Sequence, residues 1–546
     1  MAETVRRLPV GYYLLNFETV LREVRLRYGD LLHEEELRQL EAFLALPLDA
    51  RRLYVRMLTR KGPWFREDEL DYGEIRNVGE AIRTLCSIGF CADWATLQEL
   101  LPLLVKEELA ACLRRFGIPE RKGSRREVML QALLSAADFA GLEQDLHARL
   151  RPVRPLQAEL WSLVCFLFFG NGEQDLSSFV LADLGRIRYE AYALDPAHRL
   201  FQSRCDLDFL LSLGAMKGAF VKAVKEADLG ALGALTEVLL TMAPHPGVRQ
   251  QRRYHRFLNE VGRAWERNVD CERALACYAR SQLPPARERI TRITGDVRLA
   301  IQMAEAPLDA SEERFARVFL HRHGRRLPEA EAWLREHPAT EQLQELHLTV
   351  PRGDSVERAA LEAARAFGWE GFFAENSLWQ ALFGLVFWEE LFAPVPGAFQ
   401  HRFQSAPLDI GHPDFFARRQ AAFEQRLEAL QDRDALAARV LGTADAKWGI
   451  ANAFLPWHQL SRELLEAALA HVPPSVLGSV LRTMAQSPRA FSSGFPDLFL
   501  FRPQRPDWAL WEVKGPGDSL RPEQERWLRQ FHSLGCEVRV AKVKWS

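Results

Sequence analysis

The stretch FPDLFLF, residues 495–501, and the following WALWEVKGPGDSLRPEQ, residues 508–524, decide the fold of the C-terminal part of this chain. The first segment is rich in Phe and Leu without helical spacing, and a loop containing two prolines separates it from the second. Both segments therefore predict neighbouring strands joined by a turn. Because side chains alternate between the faces of a strand, Glu512 and Lys514 should point to one face and Val513 to the other.

Pairing of these strands would bring three charged side chains together. Asp497 lies near the start of the first strand, and Glu512 and Lys514 lie near the end of the second. Neighbouring carboxylates repel each other, and a divalent cation relieves that repulsion; carboxylate and carbonyl oxygens suit Mg²⁺ or Mn²⁺. A lysine beside the ion can orient the attacking water or stabilise charge on a phosphoryl oxygen. The pattern predicts metal-assisted hydrolysis of a phosphodiester.

The order Pro-Asp followed by Glu-x-Lys resembles the PD-(D/E)xK nucleases. The longer pattern GFPDLFLF, WEVKGPGDSLRPEQERWL and LGCEVRV is similar to the virus-type replication-repair nuclease domain. Upstream, AENSLWQALFGLVFWEELF and FQSAPLDIGHPDFFARR resemble the Fanconi-associated nucleases in particular. The bare triplet arises often by chance, whereas the extended match is specific because its parts occur in the right order.

This resemblance implies a set of site residues. The implied metal ligands are Glu375, Asp497, Glu512 and the backbone carbonyl of Val513. The implied catalytic residues are Asp497, Glu512 and Lys514. The resemblance also implies one or two Mg²⁺ or Mn²⁺ ions as cofactors.

Two of the implied positions have alternative interpretations. Glu375 precedes a predicted helix capped by Asn376 or Ser377, and the helix dipole alone would favour a glutamate there. The family motif also has glycine where this chain has Ala374. Gln524 matches a glutamine of the family pattern and can reach either the Lys514 region or a phosphate; without the resemblance, a plain surface glutamine is an equal alternative.

Composition limits the class of protein. A chain of 546 residues predicts about three or four domains. The contents of 48% hydrophobic and 26% charged residues indicate a folded, soluble protein, and no apolar run is long enough for a membrane span. Eight scattered cysteines without a CxxC pair predict reduced thiols in an intracellular protein rather than disulfides or zinc ligands. The net charge of −2 means that a DNA-binding surface requires local segregation of Lys and Arg.

Residues 1–95 are predicted to form a helical DNA-binding region. The segment RRLYVRMLTRKGPWF is similar to the N-terminal part of the Fanconi-associated nucleases, and a solvated basic helix face is the alternative. Its phosphate-binding candidates are Arg52, Arg56, Arg60 and Lys61.

Residues 96–140 resemble the SAP helix–extended–helix DNA-binding module. One predicted helix ends at Gly117, and a second runs from Arg125 to Leu134 with Ser124 as its N-cap. A helical hairpin with a solvated basic face is the alternative. The candidate DNA contacts are Lys106, Arg121, Lys122, Arg125 and Arg126.

Residues 141–365 are predicted to form helical repeats. YHRFLNEVGRAWERNVDCERALACYARSQLPPARERI is similar to a tetratricopeptide unit, in which Ala274 and Tyr278 pack the second helix. We expect a rigid spacer, with a peptide-binding groove as the alternative. In this family a basic pocket near the end of this region can hold the DNA 5′ end, which makes Arg352 a phosphate-binding candidate.

The expected fold class is therefore a mostly α multidomain protein with a C-terminal α/β restriction-endonuclease-like nuclease domain over residues 366–546. Within that domain Arg418 and Arg419, with His401 and Arg402, are expected to line the DNA path. The resemblance implies 5′-flap endonuclease and 5′→3′ exonuclease activity in interstrand crosslink repair. A Holliday-junction resolvase and a non-catalytic DNA-repair scaffold are the alternatives.

The expected partners are branched or flapped double-stranded DNA and other repair proteins, with no membrane. We expect a monomer or a DNA-dependent dimer. The sequence has none of the Cys and His spacing of the ubiquitin-binding zinc finger that animal members carry, which favours a bacterial-type member. Such a member would be cytoplasmic and nucleoid-associated, and a eukaryotic one nuclear.

Overall fold

A computed structural model describes residues 8–119, 124–136, 139–172, 174, 176–194, 196–323, 328–337, 343–353, 355–375 and 377–546. The chain divides into two compact units, Met1–Ile187 and Arg188–Ser546. Helices dominate both units, and the largest sheet lies at the C-terminal end of the chain. The prediction of a mostly helical chain with a C-terminal α/β domain is confirmed.

The first unit is a helical bundle with a small antiparallel sheet. Its helices are α1 Tyr12–Tyr28, α2 Glu34–Ala45, α3 Leu48–Leu58, α4 Val78–Ser87, α5 Leu97–Leu100, α6 Lys106–Arg115, α7 Arg126–Ala136, α8 Phe139–Leu150, α9 Ala158–Phe169 and α10 Ser177–Asp183. Its strands, in the order β1-β3-β2, are β1 Phe65–Arg66, β2 Cys91–Ala92 and β3 Pro152–Pro155. Sequence analysis did not predict this sheet, because strands this short have no measurable periodicity.

Edge-to-face aromatic contacts hold the first unit together. The ring of Phe43 lies 5.3 Å from that of Phe17 and 5.4 Å from that of Trp161, measured between centroids. The Trp161 indole donates a hydrogen bond to Tyr54 Oη, and Tyr54 donates to the carbonyl of Leu156. Burying these large rings with their polar atoms paired fixes α1, α2, α3 and α9 against one another.

The second unit begins with a run of helices, most of which pack against their neighbours in sequence. They are α11 Arg204–Glu226, α12 Leu229–Thr241, α13 Val248–Arg267, α14 Cys271–Arg280, α15 Ala286–Thr294, α16 Val297–Glu305, α17 Ala310–His323 and α18 Pro328–Glu336. The predicted tetratricopeptide-like pair corresponds to α13 and α14, and Ala274 and Tyr278 are both buried as expected. The close approach requires glycine at 262, because a Cβ there would lie 2.9 Å from the Tyr278 ring.

A five-stranded mixed sheet forms the centre of the C-terminal part. Its strands, in the order β4-β8-β7-β6-β5, are β4 Glu345–Val350, β5 Glu370–Phe373, β6 Leu498–Phe501, β7 Trp508–Lys514 and β8 Glu537–Trp545. The strands β5, β6 and β7 are antiparallel neighbours, whereas β8 is parallel to both β7 and β4. The predicted hairpin is therefore present, with Leu498 opposite Trp511.

Helices cover both faces of this sheet. They are α19 Val356–Ala366, α20 Leu378–Val386, α21 Trp388–Leu391, α22 Gln420–Glu428, α23 Arg433–Lys447, α24 Arg462–His471, α25 Pro474–Gln486, α26 Pro488–Phe491 and α27 Pro522–Ser533. Trp511 and Val513 pack in the core beneath α19, whereas Leu510 packs in the core formed with α20 to α27. The alternation along β7 therefore directs Glu512 and Lys514 towards the second of these layers.

No single helix in the described part of the chain is long and apolar enough to cross a membrane. The sharply bent pair α24 and α25 meets the length and composition criteria only when the two helices are counted together. Both helices contribute side chains to the core on the sheet.

Candidate active site

The β6–β7 hairpin brings the predicted acids together. Continuing its register one residue beyond Leu498 and Trp511 places Asp497 opposite Glu512, so both side chains lie on one face. The Val513 amide donates to Asp497 Oδ2 at 2.7 Å. Because the N–H and C=O of a strand residue point to the same edge, the Val513 carbonyl is directed to the side on which Asp497 lies.

Two acceptors fix Lys514 in this cluster. Its Nζ donates to Glu512 Oε1 at 2.7 Å and to Gln524 Oε1 at 3.1 Å. Gln524 lies in the first turn of α27, and its Oε1 also accepts from the Arg521 amide at 2.9 Å. Of the two roles considered for Gln524, the contact with the lysine is the one present in the structure.

Gly494 sets the distance between the hairpin and α27. It has φ +83°, and a Cβ at this position would lie 2.6 Å from the Glu523 carbonyl carbon. Any other residue would both strain the backbone and push α27 away. This glycine therefore allows Gln524 to approach the lysine.

The cluster carries more negative than positive charge. Glu512 is 0% exposed, and its Oε2 has no hydrogen-bond partner among the described residues. Burial and then the Asp497 charge raise the pKa of Glu512 to about 8, although Lys514 acts in the opposite direction. Burial raises the pKa of Asp497 to about 6, against the lowering effect of the Val513 amide. An added cation would stabilise both carboxylates.

Glu375 lies near Asp497 and Glu512, but the three carboxylates do not surround a common point. It is separated from β5 by Ala374, whose amide donates to the Asp497 carbonyl at 2.8 Å and so ties the segment to the start of β6. The charge of Glu375 contributes to the raised pKa values of Asp497 and Glu512. Within the described ranges, however, no three Asp, Glu, His or Cys side chains already surround a common point. Ser377 is the N-cap residue of α20, one of the two predicted positions, although its side chain makes no capping hydrogen bond; Asn376 lies outside the described residues.

The donors that are present fit a hard divalent cation. They are the Asp497 carboxylate, the unpartnered Glu512 Oε2, the Val513 carbonyl and the nearby Glu375 carboxylate. All are oxygen donors, which Mg²⁺ and Mn²⁺ prefer. Sequence analysis missed one further acid, Glu357 in the first turn of α19, whose charge also raises the pKa of Asp497.

A second cluster, which sequence analysis did not identify, is basic. Arg252 Nη2 donates to the Gly411 carbonyl at 2.7 Å, and the Arg489 side chain lies against the same glycine. Partial burial lowers the pKa of the Arg252 guanidinium, and the positive charges of Arg256 and Arg489 lower this pKa further. Burial and then Arg252 likewise lower the pKa of His412. Such mutual repulsion favours an anionic ligand.

The predicted DNA contacts fall into two groups. Five of them have exposed side chains: Arg60, Lys61, Lys106, Arg125 and Arg352. Of these, Arg60 also donates to the Glu69 carbonyl and to Tyr72 Oη. These five remain predictions. Arg121 and Lys122 lie outside the described residues.

The other predicted contacts are engaged within the protein. Arg52 donates to the Glu74 carbonyl, Arg56 pairs with the Glu74 carboxylate, and Arg126 donates to the Pro102 carbonyl. Arg418 and the buried Arg419 both pair with Asp409. These contacts favour structural roles, because a phosphate would have to displace an existing acceptor.

Comparison with known proteins agrees with this geometry. A family model described as VRR-NUC domain matches residues 432–545, which include Asp497, Glu512 and Lys514 but not Glu375, and one described as FAN1, HTH domain matches residues 11–92. The chain is 34% identical to the Fanconi-associated nuclease 1 homolog of Pseudomonas aeruginosa, over 98% of this chain and 96% of that protein. It is 25% identical to the Homo sapiens Fanconi-associated nuclease 1, of which it spans 62%.

Solved structures give the same result. The crystal structure of paFAN1 bound to 2nt 5′-flap DNA with a gap superposes with a TM-score of 0.85 at 31% identity, over 99% of this chain and 100% of that one. The similarity thus extends over both units and is not restricted to the nuclease sheet. The chain belongs to the Fanconi-associated nuclease family and is a DNA nuclease.

Proposed function

We propose that this chain cuts 5′-flapped DNA with the help of one or two Mg²⁺ or Mn²⁺ ions held by Asp497, Glu512, the Val513 carbonyl and Glu375. The single observation that supports this most directly is Glu512, a fully buried carboxylate with an unpartnered oxygen beside a second acid. Buried charges are normally paired, so this deficit is best explained by a cation bound during function.

When bound, the divalent ion supplies Lewis acidity that activates water and neutralises charge on the scissile phosphate. The protein groups position the other reactants. Lys514, held by Glu512 and Gln524, has a third N–H that can donate to the attacking water or to a phosphoryl oxygen. Because both of its acceptors are buried, the ammonium is oriented before DNA binds, which reduces the reorganisation required in the transition state.

The basic cluster of Arg252, Arg256 and Arg489 is the proposed site for the 5′-phosphate of the DNA. Arginine suits phosphate because its planar fork donates to two oxygens. Fanconi-associated nucleases can hold a DNA 5′ end in a basic pocket, and the neighbouring crystal structure contains 5′-flap DNA. This cluster is a stronger candidate than Arg352. The biological role that follows is 5′-flap and 5′→3′ exonuclease activity in interstrand crosslink repair.

A panel of labelled flaps, forks, nicked duplexes and four-way junctions, incubated with Mg²⁺, Mn²⁺ or EDTA, tests the proposal. We expect metal-dependent cleavage of 5′ flaps and faster cleavage when the substrate has a 5′-phosphate. Arg489→Ala should remove that preference, whereas the exposed Arg335→Ala should retain it. Preferential cutting of four-way junctions would favour the resolvase instead, and cleavage in EDTA would refute the metal site.

A further inference from the structure

The first turn of α27 carries a residue that fixes Lys514. Gln524 lies in this turn and accepts from Lys514 Nζ at 3.1 Å. Because this distance is near the upper end of the usual range of about 2.7–3.2 Å, a small shift of α27 would release the lysine from one of its two acceptors. Whatever holds this turn in place therefore also sets the position of Lys514.

One contact of this turn comes from the helical run that precedes the sheet, α11–α18. Arg314 in α17 donates from Nη2 to Glu525 Oε2 at 2.8 Å, and Glu525 directly follows Gln524. The other Glu525 oxygen accepts from Arg529 at 2.8 Å, one turn further along α27. The Arg529 contact lies within a single helix, so of these two partners it is Arg314 that connects α27 to another element.

The two groups of this contact carry opposite charges and are partly shielded from water. The side chains of Arg314 and Glu525 are 33% and 28% exposed, so solvent screens their attraction only in part. Although burial raises the pKa of the Glu525 carboxyl, hydrogen bonds from Arg314 and Arg529 lower it below its ordinary value. Glu525 is therefore a carboxylate at neutral pH.

On its other side, α17 is fixed to the helical run. Glu312 is 1% exposed, and it accepts from Arg287 Nε in α15 at 2.8 Å and from the Leu308 amide at 2.7 Å. Two residues along an α-helix turn by about 200°, so Glu312 and Arg314 face nearly opposite directions. Glu312 therefore anchors α17 in the helical run, while Arg314 reaches α27.

We propose that Arg314 is a positioning residue for DNA cleavage, which holds Gln524 and hence Lys514 in place through Glu525. This inference rests on the proposed role of Lys514. The ammonium is then oriented from two sides, by Glu512 in the sheet and by a helix that the helical run holds. The helical run thereby contributes to catalysis, which a simple spacer would not do.

Steady-state cleavage of 5′-flap DNA with Mg²⁺ tests this role. Arg314→Gln removes the charge and leaves Arg529 as the partner of Glu525, and we expect kcat to fall about fivefold with KM unchanged. Arg314→Lys keeps a positive charge and should restore kcat to within about twofold of the unchanged protein. The matched control is Arg317→Gln, which breaks a pair with Glu313 inside α17 and should keep the full rate.

Combination with Gln524→Ala shows whether Arg314 acts through Lys514. In that background the acceptor is already absent, so Arg314→Gln should cause no further loss of kcat. A further loss of about fivefold would mean that Arg314 acts by another route, and would overturn the inference.

Binding of the same DNA in EDTA separates positioning from DNA contact. Arg314→Gln and the unchanged protein should bind the flap equally well, because the proposed role of Arg314 is confined to the position of α27. Weaker binding by Arg314→Gln with an unchanged kcat would identify Arg314 as a DNA contact and would contradict the positioning role.

Lys514→Ala separates this inference from the proposed function. Loss of cleavage in Lys514→Ala, together with full activity in Arg314→Gln, would refute the positioning role alone. Retained cleavage in Lys514→Ala would refute the proposed role of the lysine, and the positioning role with it.

Discussion

Two groups of carboxylates in the second unit differ in how completely positive charges compensate them. Asp409 is 3% exposed and accepts from Arg418 at 2.8 Å and from Arg419 at 2.8 and 3.0 Å, so one acid has two cations. Asp497 and Glu512 share a single ammonium, and one Glu512 oxygen has no partner in the described structure. The first arrangement neutralises a buried negative charge, and the second leaves a deficit of positive charge. We propose that this deficit of positive charge marks the functional site, because incompletely compensated carboxylates with raised pKa values cluster at such sites.

Replacing Asp497 by a neutral residue should abolish catalysis. Asp497→Asn keeps the shape of the side chain but removes a charge that would hold the cation, and we expect cleavage of 5′-flap DNA to fall at least about a thousandfold. Binding of the same DNA, measured in EDTA, should change little. Cleavage within about tenfold of the unchanged protein would contradict the assignment of Asp497 as a metal ligand.

The same chemical change should have opposite effects on stability in the two groups. Asp409→Asn leaves the buried Arg419 without its counter-ion and should cost about 3–5 kcal/mol of unfolding free energy. Asp497→Asn relieves repulsion and should stabilise the metal-free protein by about 1 kcal/mol. Denaturant unfolding in EDTA measures both. Equal destabilisation by the two variants would show that Asp497 and Glu512 already have enough positive charge around them.

Sequence analysis predicted the part of this site that lies on one hairpin. Strand alternation was sufficient to place Glu512 and Lys514 on one face, where the lysine donates to the glutamate. The basic cluster had no such signal, because Arg252 and Arg489 are far apart in the chain and meet only through tertiary packing. Local patterns report periodicity and turns, and they contain no information on which distant side chains become neighbours.

Exposure also could not be predicted residue by residue. Arg418 and Arg419 occur in a basic, aromatic stretch that suggested a DNA path, yet both pair with Asp409, nine or ten residues earlier in sequence. A basic run has the same sequence appearance whether it faces DNA or a buried acid. The strand β4 was missed for a related reason: its partner β8 lies far away in the sequence, so that Glu345 pairs with Val540.

A change in the position of Lys514 should reduce the rate of cleavage less than neutralising Asp497 does. Gln524→Ala removes one of the two acceptors of Lys514, and we expect kcat to fall about 10–100-fold with little change in KM. The matched control is Gln530→Ala on the same helix, whose amide donates to Thr483 away from the cluster. Equal losses in both variants would indicate damage to α27 rather than to the lysine.

The smallest expected effect is the dependence of stability on pH. The raised pKa values of Asp497, about 6, and Glu512, about 8, mean that the folded state holds protons which the unfolded state releases near pH 4. This pair therefore lowers stability as the pH rises from about 5 to 8 in the absence of metal. Histidines such as His255 and His471, whose pKa values are lowered by burial, act in the opposite direction below about pH 6.5.

The informative quantity is accordingly the difference in unfolding free energy between the unchanged protein and Glu512→Gln across this range. We expect that difference to widen towards pH 8 in EDTA and to shrink when Mg²⁺ is added, because the ion compensates the same charges. A constant difference, with and without Mg²⁺, would mean that the deficit of positive charge is absent in solution.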